Sequence, residues 1–232
     1  MDLSEKYALV AGGAGSVGEG IVKTLLSYQA TVFVPSRSEA KLKQLQDYCG
    51  GNGSGRLIPI LGDIGNANGA VHIRTQMRRF TTKLDLLVAS LGGWWQGLPL
   101  TEVDMNTWKR ILNNNLTSHF LTAKYFIPLL TLNSGVYIHI NGASSEDPPP
   151  KAIPVSMAAA AQKMMATALS DELAAEGKLV YELILGPVTT RSRLKTQKVS
   201  PDWYTAEQVG KYIAELYDNR PPQLIHRLLE KK

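Results

Sequence analysis

The sequence predicts a doubly wound α/β fold, a parallel sheet of about seven strands with helices on both faces. Two observations carry this reading. Short, nearly all-apolar runs recur along the chain, and each is followed by a stretch whose apolar residues return at helical spacing. Strands apolar on both faces need cover on both sides, and a parallel sheet between two helical layers provides it. A third observation fixes the orientation: the first run, "YALVAGG" at 7–13, ends in glycines that open the next helix.

The remaining elements follow in order. After a helix over 17–28 comes the strand "ATVFVPS" at 30–36. A helix over 38–48 has Ser38 as its N-cap, because a serine side chain can accept from the first free amides. The run 50–55, "GGNGSG", is a turn whose glycines lead into a strand rather than a helix. Strand "RLIPILGD", helix 66–80, strand "LDLLVASLGG", long helix 104–130, strand "GVYIHING", helix 156–176 and strand "LVYELILGP" complete the alternation. Gly177 stands where a helix-ending C′ glycine belongs. The tail from 205 adds one more helix and an edge strand. The length of 232 residues suits one nucleotide-binding domain over 1–232, with no internal repeat.

Composition narrows the function classes. With 44% hydrophobic and 19% charged residues, the chain reads as globular, and no apolar run is long enough for a membrane span. The N-terminus is polar and acidic rather than signal-like, and the single Cys49 fits a reducing cytoplasm, so a cytoplasmic location is expected. Cys49 itself reads as a small packed side chain. The net charge of +5 is scattered, with Arg78-Arg79 and Lys231-Lys232 as its tight pairs, which argues against nucleic-acid binding. No metal site is expected.

The first βα turn, "VAGGAGSVGEG", carries the strongest motif. Gly13, Gly15 and Gly18 match G-x-G-x-x-G, and Gly12, Gly15 and Gly18 match a looser spacing. Glycine there permits a tight turn and close backbone approach to a pyrophosphate, which the helix N-terminus at Ser16 and Val17 then faces. A Rossmann-type dinucleotide site follows. The second strand ends in "VPSRS", without the carboxylate that an NAD ribose calls for. Arg37, flanked by Ser36 and Ser38, instead suits a 2′-phosphate, so NADP(H) is the expected cofactor and NAD the less favoured one. Asp63 and Ile64 in "LGDI" end the third strand, where the carboxylate either meets the adenine or caps the next helix.

The order of these motifs resembles the short-chain dehydrogenase/reductase family over essentially the whole chain. "AGGAGSVG" is similar to its glycine loop in an atypical spacing, and "LGDI" to its adenine-contact motif. "ASLGG" at 89–93, with Gly92 retained, stands where the family writes N-N-A-G. "WKRILNNNLTSHF" resembles its fourth-helix motif, with Asn115 on the active-site asparagine, and "LGPVTT" its nicotinamide-contact element, with Val188 and Thr190 at the carboxamide. The resemblance implies a Tyr four residues before a Lys, the lysine holding the ribose and the tyrosine moving the proton. In "SMAAAAQKMM" Lys163 fits the lysine, but position 159 is Ala159, and none of the nine tyrosines has Lys four residues after it. Ser144 and Ser145 are the candidates for the family's substrate-orienting serine. The loop they open continues into "EDPPPKAIPV", whose three prolines should stiffen it.

The expected function is an NADP(H)-dependent oxidoreductase. It would transfer hydride to or from a small carbonyl, alcohol or activated double bond, with an altered active site of Asn115, Lys163, Ser144 and Ser145. The alternative is a catalytically silent NADP(H)-binding protein that acts through a partner. Trp94 and Trp95 can stack a flat substrate, or serve as core aromatics. Arg191 and Arg193 lie where the family has its lid, and His139, inside a strand, reads as packing. The family's habit implies a homodimer or homotetramer through the helices 104–130 and 156–176. Met157, Met164, Met165 and Leu169 offer a seam.

Overall fold

A computed structural model describes residues 1–50, 55–196 and 199–231. Residues 51–54 of the 50–55 turn and Lys232 of the terminal pair lie outside the described residues. Seven strands form one parallel sheet in the order β3-β2-β1-β4-β5-β6-β7. They are β1 (Tyr7–Ala11), β2 (Thr31–Ser36), β3 (Arg56–Leu61), β4 (Leu86–Ala89), β5 (Val136–Gly142), β6 (Leu179–Leu185) and β7 (Ile225–Leu228). The reversal of strand order lies between β1 and β4, and ligands of open α/β sheets bind in the crevice at such a point.

The helices are α1 (Gly18–Ser27), α2 (Glu39–Cys49), α3 (Ala67–Met77), α4 (Met105–Leu112), α5 (Ser118–Phe126), α6 (Ile153–Ala174), α7 (Arg191–Thr196) and α8 (Ala206–Asn219). One apolar layer joins α1, α2 and α8 to the sheet through Ile21, Leu25, Leu42, Val209 and Ile213. The opposite layer seats α3, α5 and α6 through Ile73, Phe126, Ala166 and Leu173. Each internal strand alternates residues into these two layers, which explains why the strands read as continuous apolar runs.

Local chemistry sets the boundaries. Ser38 accepts from the Lys41 amide and starts α2, Gly177 takes φ +62° after α6, and Thr205 with Gln208 forms a capping box on α8. The single helix expected over 104–130 is interrupted. A π-helical turn at Asn113–Thr117 separates α4 from α5, and a 3₁₀ turn at Ile127–Leu129 ends the run. Among the described residues, no helix is long and apolar enough to cross a membrane.

Candidate active site

The carboxyl ends of the strands border two clefts that share Gly15, Ser90, Leu91 and Gly92. The first, about 790 Å³, runs under β2 and β3. It is lined by Gly12, Ser36, Arg37, Lys41, Asp63, Ile64, Lys109 and Arg110, among others. Four cations thus face one carboxylate. Asp63 is itself occupied: Oδ1 accepts from the Gly65 amide at 2.9 Å and Oδ2 from Asn66 Nδ2 at 2.9 Å. Asn66, not Asp63, caps α3, with its side chain accepting from the Gly69 amide.

The second cleft, about 420 Å³, continues across β4, β5 and β6. Its walls include Ser16, Val17, Gly18, Trp94, Asn115, Asn141, Ser144, Ala159, Gln162, Val188, Thr190 and Arg193. Gly12 adopts φ +81°, and a Cβ there would stand 2.0 Å from the Ser90 carbonyl oxygen, so the backbone of the first turn lies against that of the β4 loop. Gly13 does not line either cleft; it packs against Val22 and Val34 instead.

Asn115 is held by both ends of its amide. Oδ1 accepts from the Gly93 amide at 2.9 Å, and Nδ2 donates to the Ile111 carbonyl at 3.0 Å. The widened π-helical turn leaves its backbone carbonyl to accept from Gln162 Nε2. Asn141 Nδ2 donates to the Ala159 carbonyl at 2.8 Å, and its Oδ1 accepts from the Gly142 amide at 2.8 Å, tying β5 to α6 at the cleft wall.

Two expected site residues lie elsewhere. Lys163 does not line the cleft: Nζ pairs with Glu146 Oε1 at 2.5 Å, and Arg227 grips the same carboxylate at 2.8 and 2.7 Å. Arg227 and then Lys163 hold the Glu146 carboxyl down at about 2. Gln162 lines the cleft with Ala159 and Val155, whereas the Lys163 side chain is drawn aside by the Glu146 carboxylate. Ser145 is likewise turned aside, donating to the Gly142 carbonyl at 2.9 Å, whereas Ser144 faces the cleft.

Other residues settle as the physics of their neighbours requires. Trp94 is 59% exposed at the cleft, while Trp95 packs on Ile111, Ala152 and Val155. Arg191 pairs with Glu19 at 2.9 and 2.5 Å and lies 3.7 Å over the Tyr48 ring, so it is engaged away from the cleft. Arg193 lines the cleft and donates to the Val188 carbonyl at 2.9 Å. Burial pushes the Cys49 thiol up to about 11, which keeps it an unreactive packed side chain.

The sequence matches the short chain dehydrogenase family over residues 6–200. The chain belongs to that family. A short-chain dehydrogenase/reductase from Serratia marcescens superposes with a TM-score of 0.84 over 98% of both chains at 22% identity. A metagenomic short-chain oxidoreductase in complex with NADP gives 0.82 over 99% of this chain and 97% of the other at 20% identity. Among characterised relatives, the rhamnolipid-biosynthesis 3-oxoacyl-[acyl-carrier-protein] reductase of Pseudomonas aeruginosa is 28% identical over 128 residues. That match covers 55% of this short-chain dehydrogenase and 49% of the reductase, about half the relative's length.

Proposed function

We propose that this oxidoreductase binds NADP(H) along the two joined clefts and works with hydroxyl and amide donors in place of a phenol. The observation that carries the reading is the continuity of the two clefts through Gly15, Leu91 and Gly92. One end presents Arg37, Lys41, Lys109 and Arg110; the other presents Ser144, Asn141 and Gln162.

The residues present fit the cofactor. The donor set at the first end suits a phosphomonoester, since guanidinium and ammonium groups exceed the one carboxylate and that carboxylate is already bonded. Gly15, with no Cβ, leaves the backbone of the turn open between the clefts at the start of α1. Arg37 and Ser36 hold the 2′-phosphate side. Val188 and Thr190 face the nicotinamide side, and Gln162 takes the ribose-facing position expected of Lys163. When bound, the nicotinamide donates or accepts a hydride.

The chain's own groups supply the rest. Ser144 can donate its hydroxyl to a substrate oxygen, and Asn141 and Gln162 keep the wall behind it rigid. Among the described residues, the one ionisable side chain lining this cleft is Arg193, which is permanently charged, so general acid help of the usual 10²–10⁴ is missing. That favours an acceptor whose negative charge is already delocalised, such as an activated double bond, over a simple ketone. Trp94 at the mouth supports a flat apolar substrate. Exposed Phe120 on α5 with Met157 and Met164 on α6 supports self-association through this side.

Titration with NADPH and NADH, read by nicotinamide fluorescence and thermal shift, tests the reading. Tight NADPH binding with weak NADH binding is expected; binding of neither removes it. A second reading is favoured by Ala159 and the lack of an acid: a silent NADP(H)-binding protein. It predicts binding without turnover across a broad screen of carbonyl and enone acceptors.

A further inference from the structure

Behind the cleft a line of polar side chains crosses the core between the sheet and α5. Glu182, His139 and His119 are each 0% exposed, and none of them lines a cleft. His139 and Glu182 are register partners on β5 and β6, and His139 Nδ1 meets Glu182 Oε2. His139 Nε2 lies 2.9 Å from His119 Nδ1, and His119 Nε2 lies 3.3 Å from the Leu91 carbonyl oxygen. At the far end Asn141 Nδ2 donates to Glu182 Oε1 at 2.8 Å as well as to the Ala159 carbonyl. Both ends of the line therefore stop on residues that wall the cleft, Leu91 on one side and Asn141 with Ala159 on the other.

The proton inventory of this line is constrained. A carbonyl only accepts, so His119 Nε2 carries hydrogen. Burial, and then the neighbouring His139, hold the His119 pKa well below the usual histidine range, so the ring is neutral and its Nδ1 accepts. His139 Nε2 must then donate. Between His139 Nδ1 and Glu182 Oε2 there is one proton, giving either a carboxylic acid facing a neutral ring or a carboxylate facing an imidazolium. Either way the pair is neutral and every ring nitrogen is used. A fully satisfied buried network specifies one geometry, whereas a half-satisfied one is costly.

What the geometry holds is the loop after β4. Gly92 sits at φ +95°, and the Gly93 amide donates to Asn115 Oδ1. Asn115 and His119 stand four residues apart, one turn on the same helical run, so one helix face grips the loop by the Gly93 N–H and the Leu91 carbonyl together. We propose that Glu182, His139 and His119 are positioning residues that hold the 90–93 loop, and through Asn141 the Ala159 turn of α6, in the geometry that receives the cofactor. This rests on the NADP(H) reading of the cleft. The line ends on a carbonyl and an amide, neither of which passes a proton onward, so its role is placement rather than proton delivery.

Glu182→Gln and Glu182→Leu separate the possibilities. Glutamine can accept from Asn141 through Oε1 and donate to a neutral His139 through Nε2, so it keeps every link without a titratable proton. Leucine breaks two links, and His119→Leu breaks the two at the other end if Glu182→Leu does not fold. Each protein is titrated with NADPH well below its melting temperature, and amide hydrogen exchange is followed at 90–93 with β1 and β2 as internal reference. Glu182→Gln should bind NADPH within about twofold of the parent, while the leucine variants lose about tenfold or more and exchange faster at 90–93 only. Leucine variants that melt earlier yet keep parental NADPH affinity and exchange at 90–93 would show mere core packing and overturn the proposal. A Glu182→Gln variant as impaired as Glu182→Leu would overturn it too. If the parent itself binds no NADPH, the NADP(H) reading fails, and exchange at 90–93 still decides whether the line holds the loop.

Discussion

The two ends of the joined cleft differ in kind. The end under β2 and β3 is charged, with Arg37, Lys41, Lys109 and Arg110 around a bonded Asp63. The end across β5 and β6 is built of amides, hydroxyls and apolar groups beside Arg193, and the Lys163–Glu146 pair lies outside its lining. On the proposed reading, a binding surface and a reaction surface sit on one crevice but answer to different demands. Recognising a phosphate needs fixed charge, which a few surface cations satisfy. Moving a proton needs a group whose pKa lies near working pH, and burial at the second end supplies none.

Four changes break or sharpen that contrast, from the largest expected effect to the smallest. Gly12→Ala forces a Cβ onto the Ser90 carbonyl at a left-handed backbone angle and removes the junction of the two ends. It should cost about 3 kcal/mol, a melting temperature lower by roughly 6–12 °C, and abolish NADPH-induced stabilisation. Ala159→Tyr puts a phenol into the second end. Reduction of a simple ketone by NADPH should rise by about 10²-fold, read in initial-rate assays. An unchanged rate would mean that the end lacks more than an acid. Arg37→Ala should weaken NADPH binding by about 10- to 100-fold and leave NADH binding nearly as it was, since only the 2′-phosphate loses a charge-assisted partner.

Lys163→Met should do least. Its ion pair is part exposed, so stability should fall by about 0.5 kcal/mol and NADPH affinity by less than about twofold. A large loss of affinity would return Lys163 to the site. Acid adds a check on the same cluster. The Glu146 carboxyl, ordinarily near 4.5, is lowered to about 2, so its stabilisation is complete above pH 4.5 and disappears as pH falls toward 2. Arg227→Met should flatten that limb of the stability curve, measured by thermal melts across pH.

The sheet was legible because strands buried on both faces read as apolar runs, and because "VAGGAGSVG" could only open a helix at one place. Ser38 and Gly177 each reveal themselves through a requirement of one or two neighbouring residues. The second end was harder to read. Lys163 and Gln162 are adjacent, and four alanines before them give a helix no apolar stripe by which to fix its rotation. The π-helical break at Asn113–Thr117 carries no proline or glycine to announce it, whereas Pro128 marks the end of the run. The line from Glu182 to His119 joins residues 63 apart in the chain, and no local pattern can show that a lone strand histidine has two buried partners.

The π-helical turn at Asn113–Thr117 has a consequence for how the sequence can change. A turn of that width holds one residue more than an α-helical turn, and deleting any one of its five residues would let the run close up as ordinary α-helix. The run after it would keep its place, because the π turn carries its extra residue as a bulge within a single turn. Asn115, inside the turn, would be re-aimed relative to His119 and lose the spacing by which the two side chains meet the Gly93 amide and the Leu91 carbonyl together. A single-codon loss there would thus undo the Gly93 contact while sparing the helices on either side, which makes the length of this turn as much a part of the site as any side chain in it.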